Sequence, residues 1–216
     1  MKLFPQSKAG RIRLAILLAA LVAVFAWLMA LPLWGYLRYS PREGDIIFQS
    51  VPHCEFVDLI EGVTESPYSH CGVVVNRNGK WCVNEAIVTV HDTPLLSWIL
   101  RGRGGRFRVQ RLKPEFQPHV PAFVQALGKY QGKPYDFDCK LDDSSIYCSE
   151  LVYKAFRDAS GIELGKLMSL GDLNWRPFEQ ALRKYNGGPL PLDRQMITPR
   201  HLAEAEQLEK VLSNGL

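Results

Sequence analysis

The sequence predicts an α+β domain carried behind one membrane-spanning helix, and three observations carry that expectation. Leu14–Leu37 holds no charged residue. Segments with strand patterning cluster between Gly44 and Leu112, and helical stripes follow from Val120 onward, so strands and helices are segregated along the chain. With 216 residues, 47% of them apolar, the chain can bury one substantial core and not two.

At about 1.5 Å per residue, Leu14–Leu37 exceeds the roughly 30 Å hydrocarbon core of a bilayer. Lys2, Lys8, Arg11 and Arg13 precede it, while Arg38 and Arg42 beyond it are offset by Glu43 and Asp45, a bias that keeps the N-terminus in the cytoplasm. The stretch is longer than a usual signal-peptide core, and Leu28, Met29 and Ala30 make a poor cleavage site, so an uncleaved anchor is expected. No cysteine follows closely enough to accept a lipid. The expected division is 1–13 in the cytoplasm, 14–37 in the inner membrane, 38–43 as a linker and 44–216 as a domain facing the periplasm or cell exterior. The net charge of +4 belongs to the leader: removing Lys2, Lys8, Arg11, Arg13 and Arg38 from 26 basic residues leaves 21 against 22 acidic ones. A near-neutral domain argues against a nucleic-acid partner.

Within the domain, "GDIIFQ" from Gly44 is a first strand behind a Gly-Asp turn. "YSHCGVVVNRNGKWCVNEAIVTV" from Tyr68 is two strands joined at Asn78-Gly79, the strongest short hairpin signal. "RFRVQRL" from Arg106 is a third strand, with Phe107 and Val109 inward and Arg106 and Arg108 outward. "VPAFVQALGKY" is a helix with Pro121 near its start, "GKPYDFDCKLDDSS" a polar loop, and "SSIYCSELVYKAF" a second helix whose inner face is Leu151, Val152, Ala155, Phe156 and Ala159. Asn174–Lys184 is a further helix, "GGPLPLD" a loop, and Thr198-Pro199 caps an amphipathic C-terminal helix.

The hairpin carries chemistry. A two-residue turn at Asn78-Gly79 sets Arg77 against Lys80, Val75 against Cys82, Val73 against Asn84 and Gly72 against Glu85. Glu85 and His70 then share a face as diagonal neighbours, about 7 Å apart at their α-carbons, with Gly72 leaving the space between them open. A carboxylate there holds one imidazole nitrogen and raises the basicity of the other, as a general base requires. Cys148 supplies the matching nucleophile. With Ser144 or Ser145 as N-cap it sits in the first turn of a helix, where free N–H groups and the dipole favour a thiolate and can stabilise an oxyanion. A lone buried cysteine would be a core residue; a histidine with a same-face acid and a helix-mounted cysteine together point to catalysis.

"GDIIF", "YSHCGVVV", "NEA" and "YCSELVYKAF", in that order, resemble the YiiX/YebB-like branch of the NlpC-type papain-fold cysteine hydrolases, in which circular permutation puts the histidine ahead of the cysteine. The resemblance runs from Gly44 to about Ala205. It implies a circularly permuted papain-like fold, a small antiparallel sheet packed with helices, with Cys148 as nucleophile, His70 as base and Glu85 as orienting acid. Tyr135 and Asp136 of "GKPYD", with Tyr147 and Asp45 of the flanking motifs, are expected to line the substrate site. Cys71 beside the histidine is unusual for the pattern, and Asn174–Arg194 has no place in it, which makes that segment a candidate for specificity.

Other arrangements are weaker. Cys54 with His91 or His119 offers a cysteine-first pair, but no acid is placed beside them. Zinc on His53, Cys54, His70 and Cys71 fails because adjacent strand residues face opposite ways and no ligand spacing supports it. Asp136, Asp138, Asp142 and Asp143 lack a calcium-loop pattern, with Lys140 at the third ligand position. The six basic residues of Arg101–Lys113 suit an amphipathic strand better than a patch for anionic lipid or cell wall. Of the five cysteines, Cys71 and Cys82 share a face but lie about 13 Å apart along the hairpin, beyond disulfide reach; a Cys54–Cys139 pair stays open.

The expected activity is hydrolysis of amide bonds outside the cytoplasm through an acyl-enzyme on Cys148, with murein peptides as the substrate class the resemblance implies first. Lipid or thioester acyl hydrolysis or transfer, performed by permuted relatives resembling lecithin:retinol acyltransferase, is the alternative. A catalytically silent binding module is a third. No cofactor and no metal are expected, and the membrane is engaged through the N-terminal helix.

Overall fold

A computed structural model describes residues 8–216 of the chain; the first part of the expected cytoplasmic segment, including Lys2, lies outside the described residues. Helix α1 spans Lys8–Arg38 and has a mean hydropathy of 2.8 over its most apolar window. It is long and apolar enough to cross a membrane, and Leu21, Val22, Phe25 and Trp27 along it are exposed. Its final turns are different. Pro32 and Gly35 are buried, Asn214 donates through Nδ2 to the Leu31 carbonyl at 3.1 Å, and Tyr36 packs on the core. The expected linker is ordered too: Tyr39 is buried and its hydroxyl donates to Asp45 at 2.7 Å.

The strands are β1 (Ile46–Gln49), β2 (His70–Arg77), β3 (Lys80–Ala86), β4 (Val90–Pro94), β5 (Phe107–Leu112), β6 (Met168–Ser169), β7 (Gln195–Met196) and β8 (Leu208–Asn214). Six form one antiparallel sheet in the order β4-β3-β2-β1-β5-β8, and β6 pairs with β7 apart from it. The remaining helices are α2 (Glu55–Thr64), α3 (Leu95–Arg101), α4 (Val120–Leu127), α5 (Cys148–Ser160), α6 (Glu179–Asn186) and α7 (Pro199–Ala203). One sheet face, with Ile46, Phe48, Cys71, Val73 and Val75, packs under α4 and α5. The other, with Ile47, Val74, Val83, Phe107 and Val109, is covered by α3 and the end of α1. A central strand buried on both faces reads as a continuous apolar run, which is what "VVV" in β2 is.

The hairpin register is the expected one, from Arg77↔Lys80 through Val75↔Cys82 to Val73↔Asn84. Asn78 and Gly79 both take positive φ, 54° and 82°, the conformation that a two-residue hairpin turn needs.

The helix expected over Asn174–Lys184 begins only at Glu179, after a tighter turn at Arg176–Phe178, the short pair β6–β7 has no counterpart in the expectation, and four further elements depart from it. α2 arises in what the sequence suggests is a loop; it starts without a side-chain cap, and its apolar stripe of Val57, Leu59 and Val63 is short. The second hairpin strand ends at Ala86, and β4 returns beside it through Ile87, Val88 and Thr89, residues that carry no turn signal. α3 forms where no element is expected. The C-terminal helix stops at Ala203, and Leu208–Asn214 instead pairs with β5, because the open edge of that strand supplies ladder hydrogen bonds that a surface helix could not use.

Candidate active site

The β2–β3 hairpin brings His70 and Glu85 together: His70 Nε2 lies 2.5 Å from Glu85 Oε2, and both residues are buried. Glu85 collects further donors. Trp98 Nε1 reaches Oε2 at 2.9 Å, Arg101 Nη2 reaches the same oxygen, and Thr93 Oγ1 donates to Oε1 at 2.6 Å. Burial alone would raise the carboxyl's pKa, but hydrogen bonding and charge from His70 and Arg101 outweigh it, and Glu85 is held well below the usual carboxylate range. The His70 ring stacks on Trp98 with centroids 6.0 Å apart. Gly72 is a requirement here, since a Cβ on it would sit 2.5 Å from a methyl of Val83 and 2.8 Å from the Asn84 carbonyl.

α5 begins at Cys148 itself, with Tyr147 rather than Ser144 or Ser145 as N-cap. The first helical bond runs from Leu151 N–H to the Tyr147 carbonyl, so the N–H groups ahead of it have no partner within the helix. Cys71 and His70 are the groups that act on the Cys148 thiol. Because Glu85 holds Nε2, the nitrogen left for the thiol is Nδ1. Contacts from Cys71 first, and then hydrogen bonding and charge from His70, pull the Cys148 pKa well below that of an ordinary thiol against the cost of burial. Burial pulls His70 down, yet its bonds to Cys148 and Glu85 carry it to about 9. The favoured state is a thiolate beside an imidazolium.

A cleft lined mostly by apolar side chains opens on Cys148. Its walls come from α2 (Phe56, Leu59, Val63), the loop before α5 (Tyr135, Phe137, Cys139) and the stretch from Leu170 to Pro199, including Leu173, Leu182, Tyr185 and Leu190. Phe56 is the hub of an aromatic group, with ring centroids 5.1 Å from Tyr185 and 5.4 Å from Phe137.

Of the four residues expected to line the site, two do. Tyr135 faces the cleft; Tyr147 lines it while its hydroxyl accepts from Ile197 N–H at 3.1 Å. Asp136 does not. It is buried, accepting the N–H groups of Asp138 (2.9 Å) and Lys140 (2.5 Å), and so shapes the loop that presents Tyr135 and Phe137. Asp45 does not either. It stands at the end of β1 opposite Gln49, the register partner of His70, and is fully buried against Arg111 (2.6 Å) and Tyr39.

The weaker arrangements are not assembled. Cys54 is exposed at the start of α2, His91 bonds the Thr89 carbonyl, His119 lies edge-on to Phe156, and His53 pairs with Asp58 at 2.6 Å. Arg101, Arg103 and Arg111 point at Glu85, Glu61 and Asp45, so the basic run braces the fold from within. The sequence reading missed Thr93, Trp98 and Arg101. The signal available was Trp98 and Arg101 three residues apart on one face of "LLSWILR".

Comparison with known proteins accords with this geometry. Residues 40–212 match the family described as permuted papain-like amidase, YaeF/YiiX, C92. The chain belongs to that family. This C92 amidase is 33% identical over 191 residues to the uncharacterized protein YiiX of Escherichia coli strain K12, covering 87% of this chain and 93% of the relative. It also superposes on the crystal structure of a protein described as metalloprotein yiiX from Escherichia coli O157:H7, with a TM-score of 0.73, 35% identity, and coverage of 81% of this chain and 98% of that one. The family bears out the resemblance carried by the motifs, the permuted papain-like fold and cysteine amidase chemistry. Among the described residues no group of three or more His, Cys, Asp or Glu is placed to hold a metal ion.

Proposed function

We propose that this C92 amidase is a membrane-anchored hydrolase that cleaves amides with an apolar acyl group through Cys148, His70 and Glu85. The observation that carries the catalytic part is the buried His70–Glu85 pair, its carboxylate fixed by Thr93, Trp98 and Arg101, with the His70 ring drawing the Cys148 thiol toward its thiolate form. The Cys148 thiolate attacks the amide carbonyl, and the free N–H groups of the first turn of α5 face the developing oxyanion. His70 gives its proton to the departing amine and then takes one from the water that releases the acyl group. Glu85 keeps the ring oriented and favours its cationic form.

The apolar walls of the cleft support a long acyl group on the carbonyl side. The charged residues among them are Asp138 and Arg194, and Arg194 is engaged with the Asp138 carbonyl at 2.5 Å and Asn186 at 2.9 Å. Murein peptides, dense in carboxylates and amines, match that lining less well, which favours the acyl reading over the murein one. The anchor reading is supported by α1, whose last turns are packed into the domain, and the charge bias around it supports a catalytic domain outside the cytoplasm.

The test is product analysis on purified full-length protein in detergent, with a long-chain N-acyl amide and a murein peptide offered side by side, for wild type and Cys148→Ala. Release of the fatty acid by wild type alone is expected. Turnover of the murein peptide with the acyl amide untouched would overturn the substrate assignment, and equal turnover by Cys148→Ala the nucleophile.

A further inference from the structure

The strand registers place His70 in one row with the point where α1 leaves the domain. Gln49 pairs with His70, Phe48 with Arg108 and Phe107 with Asn214, so His70, Gln49, Phe107 and Asn214 stand side by side at one end of β2, β1, β5 and β8. α1 crosses that row: Asn214 donates to the Leu31 carbonyl at 3.1 Å, and a Cβ on Gly35 would lie 2.8 Å from the Phe107 ring. From there the chain climbs along the strands, since the Tyr39 hydroxyl reaches Asp45 at the opposite end of β1. Leu31 to Tyr39 is about 12 Å along a helix, and Gln49 to Asp45 is about 13 Å along a strand. In the other direction, the apolar run ahead of Leu31 therefore leaves the sheet past its His70 end. At about 1.5 Å per residue, Leu14–Ala30 covers about 25 Å of the roughly 30 Å hydrocarbon core, which leaves no spacer between lipid and the row. Trp34, exposed at the level of that row, is a side chain suited to the bilayer interface.

The same end carries exposed apolar side chains. Outside α1, the large ones among the described residues are Val88, Leu100, Phe137, Leu192 and Val211. Single exposed apolar residues are ordinary, but three of these five gather beside the row. The hairpin register sets Ile87 opposite His70, so Val88, 75% exposed in the turn between β3 and β4, lies at this end. Its carbonyl accepts the Tyr135 N–H at 3.0 Å, and Phe137 follows two residues later, 55% exposed. Leu100 is in the last turn of α3, two residues before Gly102, which packs on the Gln49 side chain. Phe137 also belongs to the wall of the cleft, and α2, which supplies the facing wall, begins just past the end of β1. Rim and cleft are thus one continuous apolar surface. We propose that the His70 end of the domain rests on the bilayer that holds α1, with Val88, Leu100 and Phe137 in contact with lipid, and that the cleft takes the acyl chain of an amide-linked lipid directly from that leaflet. The proposal rests on the anchor and acyl-amide readings above and adds to them the face of the domain that meets the membrane and the source of the substrate.

The experiment uses the full chain reconstituted in phosphatidylcholine vesicles. A benzophenone amino acid replaces either Phe137 or Lys80, which is exposed beside the Asn78-Gly79 turn, about 23 Å along β2 from His70. After irradiation, peptide mass should show a phospholipid adduct at position 137 and not at position 80. Equal adducts at both, none at position 137, or an adduct at position 80 alone overturns the facing. The wild-type chain is then given N-acyl phosphatidylethanolamine, either in its own vesicles or in separate ones at the same bulk concentration. Turnover in the shared bilayer should be higher on the order of tenfold or more, because confinement raises the effective concentration. Equal turnover from separate vesicles overturns the direct uptake, and it is read on unsubstituted protein. Three controls separate this proposal from the readings beneath it. Release of the chain from vesicles by alkaline carbonate sinks the anchor and the facing together. Cleavage of the lipid in detergent but not in the shared bilayer sinks the facing and leaves the hydrolase standing. No cleavage in either, with the adduct at position 137 in place, sinks the acyl-amide substrate and leaves the facing.

Discussion

His70 and Arg101 meet on a single oxygen, Oε2 of Glu85. The carboxylate thus answers two cations at once, and Arg101 fixes its charge while His70 is oriented by it. Glu85→Gln should keep a hydrogen bond to His70 and lose the charge, so kcat/KM should fall by less than in His70→Ala. Glu85→Ala should do more than slow the reaction. It leaves Arg101, Trp98 and Thr93 facing a void, and breaking a buried pair of this kind costs about 3–5 kcal/mol. Denaturant unfolding should register that loss, and an unchanged midpoint with unchanged kcat/KM would remove Glu85 from both roles.

The thiolate–imidazolium pair predicts a distinct alkylation profile. Cys148 lies well below an ordinary thiol, so iodoacetamide should modify it at mildly acid pH. Removing the cation in His70→Ala should move its profile upward. Cys71 and Cys139, pushed up by burial, should stay unmodified in the folded protein over the same range. Site-by-site peptide mass reads all three, and a Cys148 profile indifferent to His70 would break the pair.

His70 sets the alkaline limit. Its folded pKa of about 9 lies above the 6.5 of a free histidine, so its contribution to stability is full below about 6.5 and is lost as pH rises through about 9. The same deprotonation removes the acid that protonates the leaving amine. kcat/KM should therefore fall on the alkaline side near pH 9, and in Glu85→Gln that limb should move to lower pH. A limb that stays in place when Glu85 is neutralised would show that another group sets it.

Leu182 offers a test of the cleft that leaves the reacting groups alone. It is half-buried on α6 and lines the wall. Leu182→Arg replaces apolar contact worth about 1.5–3 kcal/mol when fully made, so KM for a long-chain acyl amide should rise on the order of tenfold. An acetyl amide, too short to reach that wall, should show no such rise. Parallel changes for both substrates would mean that the wall is not an acyl site.

How much of this was legible in the sequence follows from where each signal is written. The His70–Glu85 relation is local to one hairpin, and Asn78-Gly79 fixes the register from which it can be counted. Cys148 at the start of a helix was legible because Leu151, Val152, Ala155 and Phe156 keep helical spacing. Thr93, Trp98 and Arg101 were not, because the reversal that carries β4 back beside β3 runs through Ile87, Val88 and Thr89, which look like continuing strand. The cleft is assembled from α2, the loop before α5 and the Leu170–Pro199 stretch, pieces that only tertiary packing joins. Asp45 misled for the opposite reason: it sits in a motif of the family resemblance, yet the strand carries it away from His70.

The seat of α1 has a mechanical consequence. A Cβ on Gly35 would fall 2.4 Å from Asn214, and one on Gly105 would fall 2.3 Å from Pro32, so helix and domain interlock at two points where only glycine fits. With α1 spanning the bilayer as proposed, the domain has no slack with which to swing away from the lipid surface. Its search for substrate becomes two-dimensional, by lateral drift at a fixed height, and what it meets is whatever shares that plane.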